Sequence, residues 1–377
     1  MKQLHYKVRF LTPTFLGNAE QSGQWRTPPF KALLRQWWRI AVAREENYNH
    51  QNLREREGRL LGNAWLRNKF QQSEVRLRLS HWRVGKLRSW HGIEQGVVHH
   101  PEVQQTGNKV GPHAYLGFGP LDGRHGTKLS EKVNAAIQAG ETAKLSLAVP
   151  ETALEEITTA LALIDAYGTT GGRSRNGWGS VSLLPESGTP AHAAISHACA
   201  RPWRKALELD WPHALGLTGN APEQSPLIWQ TSKSYGDWMS LMRDLAILKI
   251  GLRTMFVFRN GPDPQSRHWL AHPVTRHNVQ HWNKARLPNS LRFKVRPDTE
   301  NNERLRGVVV HVPCSPPPEF RPDTNQILEV WKRVHHLLDE LCQPSQSRDY
   351  RAPSGAPTIG PRQLSQLNAV TLQRIAR

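Results

Sequence analysis

The sequence is poor in sulfur and poor in acid. Cysteine occurs only at Cys199, Cys314 and Cys342, far apart and without a C-x-x-C spacing. So sparse and odd a set gives no disulfide framework and suits a reducing, cytoplasmic setting. Nowhere do about 18 apolar residues run together, so no helix that spans a membrane is expected. The opening "MKQLHYKVRF" alternates and lacks an apolar h-region, which argues against a signal peptide. Asp and Glu number 31 against 50 Lys and Arg, leaving a formal net charge of +19. That excess favours an anionic partner, nucleic acid first and an acidic membrane surface second. Also missing are G-x-x-x-x-G-K-[ST], H-E-x-x-H, a nucleophile elbow and any dense cluster of carboxylates. No cofactor and no catalytic residue is therefore assigned. What is present, 14 tryptophans and charge of both signs, argues against a disordered chain.

With 377 residues the chain exceeds the usual size of one hydrophobic core, and two domains are expected. Leu4, Tyr6, Val8 and Phe10 alternate with polar residues and predict a strand. Pro28 and Pro29 then open a helix over 30–44, whose apolar face is Phe30, Leu34, Trp37, Trp38 and Ala41. A second helical stretch precedes strands at 74–80 and 143–149. An amphipathic helix over 150–168 leads to a glycine-rich loop and a last strand. This order fits an α+β fold of the ferredoxin-like (RRM-like, βαββαβ) plan, with antiparallel sheets and helices on one face. It places the glycine-rich loop after the second helix. A first domain is expected over 1–185, then a linker or loose excursion over 186–225. A second, degenerate copy is expected over 226–345, with helices at 234–253 and 323–342. Residues 346–377 read as a flexible or partner-ordered tail, with a short helix possible at 363–376.

Two features carry the functional reading. The loop "GTTGGRSRNGWGSV" (168–181) holds five glycines beside Arg173 and Arg175. Gly171 and Gly172 permit close backbone approach to a phosphate or sugar, with Ser174 between the two arginines. Trp178 either packs in the sheet or stacks on a base. The second feature is a stripe of Lys31, Arg35 and Arg39 at i, i+4 and i+8 of the first helix, with Arg26 just before it. Such like charges repel by roughly 0.2–0.5 kcal/mol per pair, so the stripe is either a solvated face or a ladder for phosphates. His268, His272, His277 and His281 form two i, i+4 pairs of the kind zinc sites use on helices. Pro273 interrupts that helix and Arg276 repels a cation, so no metal site is assigned. His99 and His100 are the acid/base candidates for a metal-independent ribonuclease, without identifiable companions.

The segments "TPTFLGNAEQ", "WRTPPFKALLRQWWR", "AYLGFG" and "YGTTGGRSRNGWGSV" resemble the RAMP superfamily, the RNA-binding proteins of CRISPR effector complexes. Within it they are most similar to the subunit-one group of Cmr, or type III-B, effectors. The likeness spans residues 8–44 and 115–183 and fades beyond 225. Asn18, Pro29, Ala32 and Asn176 depart from the family pattern. The resemblance implies two ferredoxin-like domains and binding of CRISPR guide RNA near its 3′ end, of target RNA, or of both. It also implies contact with backbone subunits of the effector and no membrane partner. Cleavage of target RNA belongs in that family to the repeated backbone subunit, which implies a non-catalytic role here. A RAMP-type endoribonuclease acting on precursor RNA and a protein-only adaptor are the rival readings.

Overall fold

The computed structural model describes residues 1–375 apart from 65–69, 95, 124, 220–223, 260, 276, 283 and 352–358. The first half runs through β1 (Lys2–Phe10), α1 (Thr27–Val42), α2 (His50–Leu61), β2 (Arg76–Leu79), α3 (Pro112–Gly117), β3 (Thr142–Val149), α4 (Leu154–Tyr167) and β4 (Val181–Pro185). The second runs through β5 (Ile228–Thr231), α5 (Trp238–Thr254), β6 (Leu291–Pro297), β7 (Leu305–His311), α6 (Thr324–Glu340), α7 (Pro361–Asn368) and β8 (Leu372–Arg374). Short turns and two-stranded ladders join these elements. Each half builds one four-stranded sheet, ordered β2-β3-β1-β4 and β6-β7-β5-β8, with all neighbours antiparallel.

The period-two pattern of β1 sets the first sheet. Leu4, Tyr6 and Val8 lie opposite Leu147, Leu145 and Ala143 of β3, and Phe10 lies opposite Val181 of β4. All are buried on one face. The prolines stand in the first turn of α1, as expected, where a missing N–H breaks no helical bond. Helices α2, α5 and α6 start on Asn49, Asp237 and Asp323, each accepting bonds from first-turn amides.

The second sheet is buried on both faces. Trp229, Phe293, Val295 and Val309 pack towards α5 and α6, while Ile228, Val308 and Val310 join the core around α1 and α4. Helices α1 and α4 thus lie between the two sheets. A middle sheet covered on both sides reads as a continuous apolar run, which is the reason for "VVV" at 308–310. The same burial overtakes the polar side of β6. Arg292 and Lys294, which alternate with Leu291, Phe293 and Val295, are 5% and 0% exposed. The Lys294 ammonium donates to the carbonyls of Gly168 (2.6 Å), Val181 and Ile164, where α4 ends. It thereby ties β6 to the first half. Burial pushes its pKa down to about 7. Arg292 stacks over the Trp37 ring of α1.

Two regions expected to be loose are packed. Within 186–225, strand 200–202 pairs in parallel with 215–217, and Trp203, Leu215 and Leu217 are buried. Within 346–377, α7 and β8 complete the second sheet: β8 pairs with β5, and Leu367 and Leu372 are buried. These segments hold few large apolar residues, but Trp203, Leu215, Leu217, Ile359, Leu367 and Leu372 are buried in the core that the rest of the chain builds.

Candidate nucleic-acid interface

The glycine-rich loop joins α4 to β4 and is fixed by segment 12–16. The Gly172 N–H donates to the Phe15 carbonyl (2.9 Å), and the Gly179 N–H donates to that of Pro13 (3.0 Å). The Thr12 hydroxyl donates to the Gly177 carbonyl (2.8 Å). A Cβ on Gly179, whose φ is +64°, would stand 1.9 Å from the Thr170 carbonyl oxygen. The glycines therefore serve backbone approach inside the protein, and the amide of Gly172 is not free for a phosphate. Ser174 is half-buried, and its carbonyl accepts from the Gly177 N–H (3.2 Å).

Trp178 is a core residue. It is 0% exposed and sits edge-on to Phe15, Trp90 and Trp238. Of its two readings at sequence level, packing stands and base stacking falls.

The α1 stripe meets α2. Arg35 Nη1 and Arg39 Nη2 both donate to Oε1 of Glu57, each at 2.9 Å, and Arg39 Nε donates to Oε2. The Arg35 Nη2 donates further to the carbonyls of Leu61 (2.6 Å) and Gly62 (2.5 Å), which end α2. Glu57 is 1% exposed. The repulsion expected along the stripe is thus offset by one buried carboxylate. Arg35 and Arg39 act as a clamp between helices, contrary to an unengaged ladder. Lys31 is half-buried, with its pKa lowered by desolvation and then by Arg35. The Arg26 guanidinium donates to the Gly17 carbonyl (2.6 Å).

Of the loop arginines, Arg175 turns to the second half and Arg173 to the end of α3. Arg175 donates to the Asn289 carbonyl (2.7 Å), and its own carbonyl accepts from the Phe293 N–H (3.0 Å). Arg173 has φ +56° and is exposed. Its Nε donates to the Phe118 carbonyl at the end of α3 (2.5 Å). Between loop and α5 lies a crevice lined by Arg175, Asn176, Lys249, Arg253, Asn289 and Phe293. Lys249 donates to the Asn176 side-chain oxygen, and the Asn176 amide donates to the Leu116 carbonyl (2.6 Å). Desolvation, then Arg253 and Arg173, hold the Lys249 pKa well below the lysine range. Arg173 is lowered by desolvation, then by Arg286 and Arg253. Glu102, whose charge reaches Arg253, is itself held by both terminal nitrogens of Arg267. Lys249 and Arg253 thus share the crevice, within reach of the charges of Arg173 and Arg286, while the Glu102 carboxylate is committed to Arg267. This is an electrostatic setting that favours an anion.

Sequence reading missed Lys249, Arg253 and Arg286. A signal was present for two of them: Lys249 and Arg253 stand at i, i+4 within the apolar run "LAILKIGLR". The histidines go elsewhere. His100 is buried, its Nδ1 accepts from the Glu102 N–H (3.2 Å), and burial lowers its pKa to about 4. His268 and His272 pack edge-on to Trp282, and His277 stacks on Phe258. Arg276 lies outside the described residues. Among the described residues, no three or more His, Cys, Asp or Glu are grouped so as to hold a metal ion. Nor is any described helix long and apolar enough to cross a membrane.

Residues 7–182 match the RAMP superfamily. No curated protein matches the chain. Among solved structures it is similar to the crystal structure of Cmr1 from Pyrococcus furiosus (apo form), with TM-score 0.44 and 14% identity over 82% of this chain and 88% of that one. It is also similar to a chain of the cryo-EM structure of the Type III-B Cmr-beta bound to cognate target RNA and AMPPnP, with TM-score 0.40 and 11% identity over 88% of this chain and 99% of that one.

Proposed function

We propose, for a chain whose residues 7–182 match the RAMP superfamily, that it is a non-catalytic RNA-binding subunit of a type III-B CRISPR effector. Its place among type III-B subunits rests on the sequence motifs "TPTFLGNAEQ" and "WRTPPFKALLRQWWR". Each half, with sheet order 2-3-1-4 and the connection strand–helix–strand–strand–helix–strand once α2, α3 and α7 are set aside as additions, is taken as one ferredoxin-like unit, and the halves are two domains meeting near residues 186–225. The partners are guide RNA, target RNA and the backbone subunits, and the compartment is the cytoplasm.

One observation carries the reading. Lys249 and Arg253 line a crevice with Arg175 of the glycine-rich loop, the charges of Arg173 and Arg286 reach the same neighbourhood, and a bound polyanion would relieve their mutual repulsion. Phosphate contacts give affinity without reading sequence, as a subunit that must accept any guide requires. Of the earlier candidates Arg173 stays at the centre of the site. Arg175 positions the loop, and Lys31 and Arg26 extend the basic surface.

The test is filter binding of single-stranded RNA to the full chain at several salt concentrations. Four phosphate contacts give a log–log slope of about −3. Lys249→Met with Arg253→Ala should lower the slope by about 1.5 without changing it differently for different sequences. A parent that holds no RNA, or a variant whose slope is unchanged, would overturn the proposal.

A further inference from the structure

We infer that Phe118 is a stacking platform for one unpaired base of the RNA whose phosphates occupy the cationic crevice. The inference rests on the RNA-binding reading and adds to it a preference for unpaired strands. Phe118 is 58% exposed, although it follows a helix whose neighbours Leu116 and Gly117 are buried. Its backbone is held from the crevice side. Its carbonyl accepts from Arg173, and the Leu116 carbonyl accepts from Asn176, which also receives the Lys249 ammonium.

The turn beneath it is closely packed. A Cβ on Gly117 would stand 2.7 Å from Leu121 Cδ1 and 3.2 Å from the Trp178 indole nitrogen. Gly119 follows at φ +113°, where a Cβ would lie 3.5 Å from Arg173 Nη2. The guanidinium therefore lies along the turn that presents the ring. A rigid aromatic beside convergent cations combines the two elements of sequence-tolerant single-strand binding, a π-face for a base and charge for its phosphate. The surrounding charge selects the ligand: Arg173, Arg253 and Arg286 oppose a basic or purely apolar partner and favour a polyanion.

The experiment compares parent, Phe118→Ala and Phe118→Trp as full chains. The probes are a twelve-nucleotide oligouridylate, the same strand with abasic sites, and a duplex of equal length. Phe118→Ala should bind oligouridylate about ten-fold more weakly and bind the abasic strand and the duplex as the parent does. Phe118→Trp should restore affinity, with its added fluorescence quenched by oligouridylate and not by the abasic strand. Melting temperatures should agree, because the ring is exposed. If the parent binds oligouridylate and Phe118→Ala binds it equally well, the platform is refuted while RNA binding stands. An equal loss on all three probes would also refute it, by assigning Phe118 to the shape of the crevice. If the parent binds none of the probes, the RNA reading itself fails.

Discussion

Arg35→Ala separates the two meanings of the α1 stripe. As one of three like charges on a solvated face, Arg35 is slightly unfavourable, and its removal would leave stability unchanged or raise it. The structure gives the opposite sign. Arg35 holds Glu57 and both terminal carbonyls of α2, and its side chain is only 20% exposed. A hydrogen bond to a charged group contributes about 1.5–3 kcal/mol. Arg39 still holds both oxygens of Glu57 after the change, which softens the loss. The net cost should be about 2–3 kcal/mol, roughly 5–10 °C in melting temperature for a unit of this size. Arg39→Ala, whose side chain is 43% exposed, should cost about 1 kcal/mol. Glu57→Ala strands two cations against a buried site and should cost about 3–5 kcal/mol. Thermal melts and urea titrations of the three variants and of Arg35→Ala/Glu57→Ala give the coupling directly. If Arg35→Ala melts at or above the parent and loses RNA, the clamp is wrong and the stripe is a phosphate ladder.

Three further outcomes follow from burial. Trp178→Ala should cost about 3–5 kcal/mol, measured by urea titration, because the ring is fully enclosed by Phe15, Trp90 and Trp238; a stable variant with weak RNA binding would return Trp178 to the interface. His335 and His311 share a hydrogen bond of 2.9 Å, and burial pushes the His335 pKa down to about 3 and that of His311 well below its usual value. Both stay neutral in the fold, so the stability they carry is fully present above pH 6.5 and is lost as pH falls, by about 1.4 kcal/mol per unit for each. Melting temperature should drop steeply from pH 6 to pH 4, and a flat profile that His335→Phe leaves unchanged would contradict this. Deleting residues 359–377 removes α7 and β8, uncovers Trp229 and Gly251, and should abolish cooperative melting; an unchanged melt would make the segment dispensable.

Local chemistry was legible where local rules decide. The prolines in the first turn of α1 and the alternation of β1 each specify an element from its own residues. Strand β8 was not legible: a helix seemed possible over 363–376, but it ends at Asn368, and Leu372 is drawn into a strand by its pairing with Thr231. The site divided in the same way. Arg173 was singled out through its glycine neighbours, and it stands at the proposed site. Arg35 and Arg39 were misread because Glu57 stands 18 or more positions away, and nothing in the α1 sequence announces it. Lys294 stands at a polar position of an alternating strand, and only the arrival of α4 and β4 over that face makes it a buried tie.

Because α1 and α4 lie between two sheets, this chain is not modular in the way its repeated topology suggests. Cutting it near residue 190 would give each fragment a full set of strands and helices and a raw apolar wall. On the second fragment that wall is Ile228, Val308 and Val310, interrupted by Arg292 and by a lysine robbed of its carbonyl partners. Neither fragment could be recombined with a foreign partner unless that partner reproduced the same wall. The two sheets share one interior, so any rearrangement of this chain must carry both of them together.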